Sequence, residues 1–282
     1  MRKLLATSLL PYAKLRNAWR PGLRILMYHR VAQLAAYDQL TVSPERFAQQ
    51  MQELAQHEVV SLQDGLRALQ SGALRKPLIA VTFDDGYLDN LTEALPVLRR
   101  YRIPATIFIT TQFCDQALRH PRYGSQGAQR LHLDWDEVAA LAREPGITIG
   151  SHTLTHPYLP TISDSLAQQE IAISRTVIVS HLQRPVDYFC YPSGDLSARE
   201  LQLVQQAGYA AAVSVAPGVN DRHTDRFQLR RTEITDRDDP SQFRLKLAGA
   251  FDPIHQLLHA RRTRRFAQKH LKPSTSFEAT TL

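Results

Sequence analysis

The chain has 282 residues, 43% hydrophobic and 22% charged, with 12 Gly and 16 Pro, which excludes a disordered or fibrous protein and allows one substantial core. Its 34 Lys and Arg outweigh 27 Asp and Glu for a formal charge of +7, but the excess sits at the ends. Residues 1–24 hold six basic residues and no acid, residues 261–282 hold six against Glu278 alone, and the interior 25–260 is net acidic at −4. A basic nucleic-acid-binding core is therefore excluded, and no nucleic-acid partner is expected.

Two cysteines, Cys114 and Cys190, cannot build a disulfide framework, and no CxxC pair suggests a cysteine zinc site. The N-terminal MRKLLATSLLPYA resembles a very short signal peptide, but Thr7, Ser8 and Pro11 break its apolar run and Lys14, Arg16 and Arg20 follow at once. A cytoplasmic or peripherally membrane-associated placement is expected ahead of export, because no stretch reaches the roughly 18 apolar residues of a span.

Apolar or β-branched runs recur at 24–29, 78–83, 105–110, 147–150, 187–191, 210–215 and 228–234, and read as seven strands. Helices are expected between them. Ser43-Pro44 reads as a cap before 44–57, Asp134-x-x-Glu137 and Ser197-x-x-Glu200 are capping boxes for 135–143 and 198–207, and further helices fall at 62–70, 89–101 and 163–183. Residues 111–133 read as one long rim loop. After about 240 a basic helical region begins, with Ile254, Leu257, Leu258, Phe266 and Leu271 in a cationic amphipathic pattern, followed by a polar tail from Pro273. Strands alternating with helices at this length predict a single irregular (β/α)7-type barrel over 24–240, with basic extensions at 1–23 and 241–282.

In such a fold, side chains at the carboxyl ends of strands converge on one face. The strand at 78–83 runs into Asp84-Asp85-Gly86, which alone reads as turn chemistry. The strand at 147–150 runs into Ser151-His152-Thr153-Leu154-Thr155-His156, two histidines four apart that can share a metal. Two imidazoles and a carboxylate leave positions open for water and substrate, as hydrolytic metal centres require. A third rim carries Tyr191-Pro192-Ser193-Gly194, a turn able to aim a backbone N–H at an oxyanion.

Together these segments resemble the polysaccharide deacetylases with a NodB-homology domain, a carbohydrate esterase family of metal-dependent N-deacetylases, over roughly residues 24–235. Thr82-Phe83-Asp84-Asp85-Gly86 and Ser151–His156 are the most specific pieces. LMYHRV at 26–31 and FCYPSG at 189–194 look most like the exopolysaccharide, poly-β-1,6-N-acetylglucosamine branch. The resemblance implies that Asp85, His152 and His156 hold a divalent metal, Zn2+ ahead of Co2+ or Ni2+. It implies that Asp84 is the general base and that the Ser193 N–H serves the oxyanion. The implied reaction removes an N-acetyl group from an amino sugar of a polysaccharide or lipid-linked glycan.

The pattern departs from the family at two positions. Cys190 stands where many members have an Arg that orients the base. Arg231 stands where a late-strand His commonly acts as general acid, and an arginine cannot give up a proton near neutral pH. Arg231 is then a candidate orienter of Asp84, and His223, His29 or water remain candidates for the acid. The alternatives are deformylation of a lipid-linked amino sugar and a catalytically impaired glycan-binding barrel. The basic ends suggest peripheral membrane contact; the oligomeric state is open.

Overall fold

A computed structural model describes residues 2–19, 21–72, 74–123 and 130–270. Gly124, Gly127, Leu271 and the expected polar tail from Pro273 lie outside these residues, as does the side chain of Phe266.

The strands are β1 (Leu23–Tyr28), β2 (Arg30–Val31), β3 (Thr41–Val42), β4 (Leu78–Phe83), β5 (Ala105–Ile109), β6 (Ile147–Ser151), β7 (Tyr188–Cys190), β8 (Ala211–Val213) and β9 (Arg231–Glu233). Seven of them form one parallel sheet in the order β8-β7-β6-β5-β4-β1-β9, while β2 and β3 pair separately. The sheet curls almost shut. Its two edge strands meet through the segment before β9, where Leu229 bridges Val213 and donates its N–H to Ala212 O at 3.0 Å. The expected seven-stranded barrel is present, and its strands coincide with the seven apolar runs, β1 starting one residue early at Leu23 and β6 ending one residue late at Ser151.

Alternation along the strands sorts side chains between two surfaces. Leu23, Ile25, Ala80, Phe108, Cys190 and Val213 belong to an inner cluster, whereas Leu26, Tyr28, Ile79, Val81 and Phe83 pack outward with the surrounding helices. Those helices are α1 (Arg2–Trp19), α2 (Pro44–Leu54), α3 (Leu62–Ser71), α4 (Leu95–Tyr101), α5 (Thr111–Cys114), α6 (Trp135–Arg143), α7 (Asp164–Leu182), α8 (Ala198–Gln206), α9 (Pro240–Ala248) and α10 (Asp252–His270).

Both capping boxes form: Asp134 and Glu137 satisfy each other's N–H groups at 3.0 Å, and Glu200 accepts from Ser197 N at 2.7 Å. The Ser43 cap does not form. Its hydroxyl donates to Asp236 at 2.7 Å instead, so α2 starts on Pro44 without a side-chain cap and ends at Leu54, short of the expected 57. The helix expected over 89–101 begins as a π-turn at Asn90–Ala94, because Pro96 has no N–H to return to the carbonyl four residues back. The loop expected over 111–133 contains α5 and a 3₁₀ turn at Pro121–Tyr123.

The two basic ends meet. Ala6, Leu10 and Ala13 of α1 pack on Leu245, Ala250, Phe251 and Ile254. Nearby, Arg24 of β1 is buried with its guanidinium on both oxygens of Asp252 (3.0 and 2.9 Å), on Thr232 Oγ1 and on Leu247 O, locking α9 and α10 to the barrel. Removing one member of a buried pair leaves the other charge uncompensated. Arg24→Met is expected to destabilise the protein by about 3 kcal/mol, read as a lowered urea midpoint; an unchanged midpoint would show that the pair is not holding the helices.

Candidate active site

Barrel topology gathers the polar residues. Asp84 and Asp85 follow β4, His152 follows β6, His29 follows β1, and Arg231 opens β9. Arg231 pairs in register with Ile25, well below the strand ends, so its long side chain rises through the barrel interior. It is the largest fully buried side chain, 1% exposed. Its guanidinium holds Asp84 bidentately at 2.7 and 2.7 Å, donates to Ser214 O at 2.8 Å and Thr82 Oγ1 at 3.2 Å, and rests on Cys190 Sγ at 3.1 Å. Burial alone would raise the Asp84 carboxyl pKa, but the Arg231 charge and hydrogen bonds outweigh it and hold the carboxyl below its ordinary value. Asp84 is thus an ionised carboxylate inside the barrel.

Asp85 is differently placed. Its φ of 72° puts it in the left-handed region, and Gly86 follows at 63°. A Cβ on Gly86 would meet Ile109 Cγ2 at 2.9 Å, so only glycine fits the turn. The Asp85 carboxyl is 1% exposed as a residue, and its Oδ1 is buried without a hydrogen-bond partner among the described residues. That oxygen faces His152 Nε2 and His156 Nε2, each at 3.4 Å. His152 Nδ1 lies 2.8 Å from Cys190 O, an acceptor only, so in the neutral ring that a ligand requires Nδ1 carries the proton and Nε2 presents a lone pair. An orphaned buried carboxylate oxygen facing an imidazole lone pair is a costly arrangement that a cation relieves. The Asp85, His152 and His156 donor set therefore fits a divalent metal.

Asp84, His152 and Cys190 also approach one another closely enough to suggest a ligand group. Arg231 already occupies both Asp84 oxygens and the Cys190 sulfur, so that cluster has its cation. Burial, partly offset by the Asp85 charge, lowers the His156 pKa to about 4 and leaves its ring neutral, as a ligand must be.

Four of the seven non-glycine residues with positive φ among those described lie here: Asp85, Thr153, His156 and Ser193. A β-branched Thr153 at φ 68° is strained, and its neighbours hold it. Its Oγ1 accepts from His156 N at 3.0 Å, and Glu170 of α7 accepts from Leu154 N and Thr155 N, both at 2.9 Å.

The remaining expected residues divide. His29 Nε2 lies 3.8 Å from Asp84 Oδ2, at the centre. Ser193 is exposed at φ 58° on the Tyr191–Gly194 turn. His223 is exposed, with Asp221 and Arg222 as polar partners, and lines a cavity with Gly194 and Ser214. Two residues escaped the sequence reading. His120 Nε2 stands 3.8 Å from Asp85 Oδ2, and buried His132 places Nδ1 at 3.1 Å from Asp85 O. Both come from the aperiodic 111–133 segment, where only the density of histidines hinted at a role.

A parallel barrel with a carboxylate–imidazole cluster at its strand ends has the build of an enzyme active site. The polysaccharide deacetylase family model matches residues 71–212, half of the chain, and the protein belongs to that family. It is a polysaccharide deacetylase. The chain is 28% identical over 216 residues to YxkH of Bacillus subtilis (strain 168), which bears the same family name, covering 76% of this chain and 71% of that protein. Among solved structures it is similar to the Streptococcus pyogenes deacetylase PplD in complex with acetate, with a TM-score of 0.70 at 23% identity, covering 81% of this chain and 99% of that one. It is also similar to IcaB from Ammonifex degensii, with a TM-score of 0.67 at 24% identity, covering 82% and 97%. These likenesses extend to the barrel fold.

The Arg231–Asp84 geometry has a measurable consequence. Asp84 has a depressed folded-state pKa, so the pair contributes stability above the unfolded carboxyl pKa, and that contribution is lost as pH falls through the folded value. Arg231→Lys keeps one charge but loses the fork. The Asp84 carboxyl should then titrate at higher pH, by 13C NMR, and deacetylation should fall about 10- to 100-fold; an Asp84 titration at the wild-type pH would sink the assignment.

Proposed function

We propose that this protein is a divalent-metal N-deacetylase that hydrolyses the acetamide of an amino sugar in a polysaccharide or a lipid-linked precursor. The observation that carries the reading is the division of labour between adjacent carboxylates: Asp84 ionised and held by Arg231, Asp85 turned toward two histidines with one oxygen unpartnered. Asp85, His152 and His156 would hold the cation, with zinc the first choice because two nitrogens and a carboxylate with open positions suit it. When bound, the cation supplies Lewis-acid polarisation of the acyl oxygen and acidifies a water.

The chain's own groups do the rest. Asp84 accepts a proton from the attacking water, whose oxygen bonds to the acyl carbon. Arg231 keeps that carboxylate oriented, with four hydrogen bonds fixing the guanidinium against Asp84, Thr82 and Ser214. The Ser193 N–H is the backbone donor for the acyl oxygen as it gains charge. As the C–N bond breaks, the amine takes a proton. His29, which faces Asp84 Oδ2 at 3.8 Å, is the donor in this reading, ahead of exposed His223 or a water. Acetate and a free amino sugar leave.

The Arg231 hold on Asp84 supports an active enzyme over an impaired barrel, because the residue at the family histidine's position serves the base. Asp84→Asn is expected to retain its metal and lose about 10²- to 10⁴-fold in kcat, read as acetate released from N-acetylglucosamine oligomers. Formate release from an N-formyl sugar with no acetate release would move the substrate to the deformylase reading. Full activity in Asp84→Asn would remove Asp84 from the base role.

The basic ends support contact with an anionic membrane surface. Among the described residues no helix is long and apolar enough to cross a membrane. Helix α1 docks through Ala6, Leu10 and Ala13 yet leaves Leu5, Tyr12 and Leu15 exposed at 51%, 61% and 58%, beside Lys3 and Lys14 and with no acid. Such a helix lies in the interface plane, its apolar side chains among the acyl chains. Co-sedimentation with vesicles containing anionic lipid, lost in a Leu5/Tyr12/Leu15→Ser variant, is the expected result; equal binding by that variant would refute it.

A further inference from the structure

Hydrogen bonds around the site assign the ring protons of its histidines, and the assignment separates ligands from donors. His120 Nδ1 accepts from Arg122 N–H at 3.2 Å, so in the neutral ring the proton resides on Nε2. That nitrogen points toward Asp85 Oδ2 across 3.8 Å, too far for a hydrogen bond. The side chain is 14% exposed, and Nε2–H has no acceptor among the described residues. Asp85, His120 and His156 lie close enough to suggest a ligand trio, but a ring protonated on Nε2 has no lone pair to offer there. His152 is the contrast, with its proton on Nδ1 and its Nε2 lone pair free.

His132 holds the arrangement. Its Nε2 accepts from His120 N–H at 3.2 Å, which leaves the proton on Nδ1, 3.1 Å from Asp85 O. One neutral ring thus ties the His120 loop to the strained Asp85 backbone. Phe113 and Tyr87 clamp it, with ring centroids at 4.4 and 4.8 Å.

We propose that His120 is a substrate-contacting residue of this deacetylase, donating from Nε2–H to the acyl oxygen, and that His132 is the positioning residue that aims it. The donor faces Asp85 Oδ2, whereas His152 and His156 face Oδ1, and its ring lies beside His156 at a centroid distance of 5.1 Å, so an acyl oxygen meeting the centre comes within its reach. The proposal rests on the reading of Asp85 as the metal-holding carboxylate, and the test separates the two.

Full-length wild type, His120→Ala, His120→Gln and His132→Ala are loaded with Co2+. Three quantities are measured: Co2+ affinity by chelator competition, acetate affinity from the visible cobalt spectrum, and kcat and KM for acetate release. His120→Ala is expected to hold Co2+ within about threefold of wild type, to weaken acetate about tenfold, and to lower kcat about 10²-fold with little change in KM, the size of effect that one oxyanion donor has elsewhere. His120→Gln, which keeps an N–H donor, should recover about tenfold of the lost kcat. His132→Ala should shift kcat and acetate binding in the same direction as His120→Ala. A tenfold or larger loss of Co2+ affinity in His120→Ala would make His120 a ligand and overturn the proposal; unchanged acetate binding and kcat would overturn it as well. Should wild type release acetate from no N-acyl sugar, the substrate reading fails while the acetate affinities still decide His120.

Discussion

The site depends on one ion pair buried in the barrel. A guanidinium with no access to water is tolerable only with a carboxylate against it and acceptors for its other N–H groups, and Asp84, Thr82 and Ser214 supply them. Because Arg231 starts from a strand paired to β1 and reaches the end of β4, the pair also fixes how three neighbouring strands stand to one another. Barrel geometry and carboxylate protonation are consequently one problem. Anything that lets the barrel spread weakens the contact that keeps Asp84 charged.

Much of this was legible in the sequence because the signals were local. Strands alternate with helices, Asp84-Asp85-Gly86 and Ser151–His156 follow strand ends, and the Asp134 and Ser197 boxes cap real helices. Arg231 as a partner for Asp84 could be suggested by default, since an arginine in a buried strand needs a carboxylate. Other features hinge on tertiary partners that no local pattern encodes. Ser43 abandons its cap for Asp236, 193 residues away, and the helix around 90 deviates because of where Pro96 falls. His120 and His132 lay in a segment without period or cap, and their meaning appears only when Phe113, Tyr87 and Asp85 surround them.

Strain is concentrated where the chemistry is. A left-handed Asp85, Thr153, His156 and Ser193 each cost on the order of 1–3 kcal/mol. The compensations are specific: a carbonyl held by His132, a hydroxyl accepting from the next histidine, and a buried glutamate collecting the N–H groups of Leu154 and Thr155. Glu170 is 4% exposed, and by accepting from Leu154 N, Thr155 N and Thr155 Oγ1 it shapes the turn that presents His156.

The closure of the barrel runs through the residue that holds the base. Six strand pairings join the sheet, and the ring closes where Ala212 N–H donates to Arg226 O at 2.8 Å, Leu229 N–H to Ala212 O at 3.0 Å, Ser214 N–H to Leu229 O at 2.8 Å and Arg231 N–H to Ala216 O at 2.9 Å. Because the same Arg231 donates Nε–H to Ser214 O at 2.8 Å and grips both oxygens of Asp84, the clasp that closes the cylinder and the handle on the base are one residue.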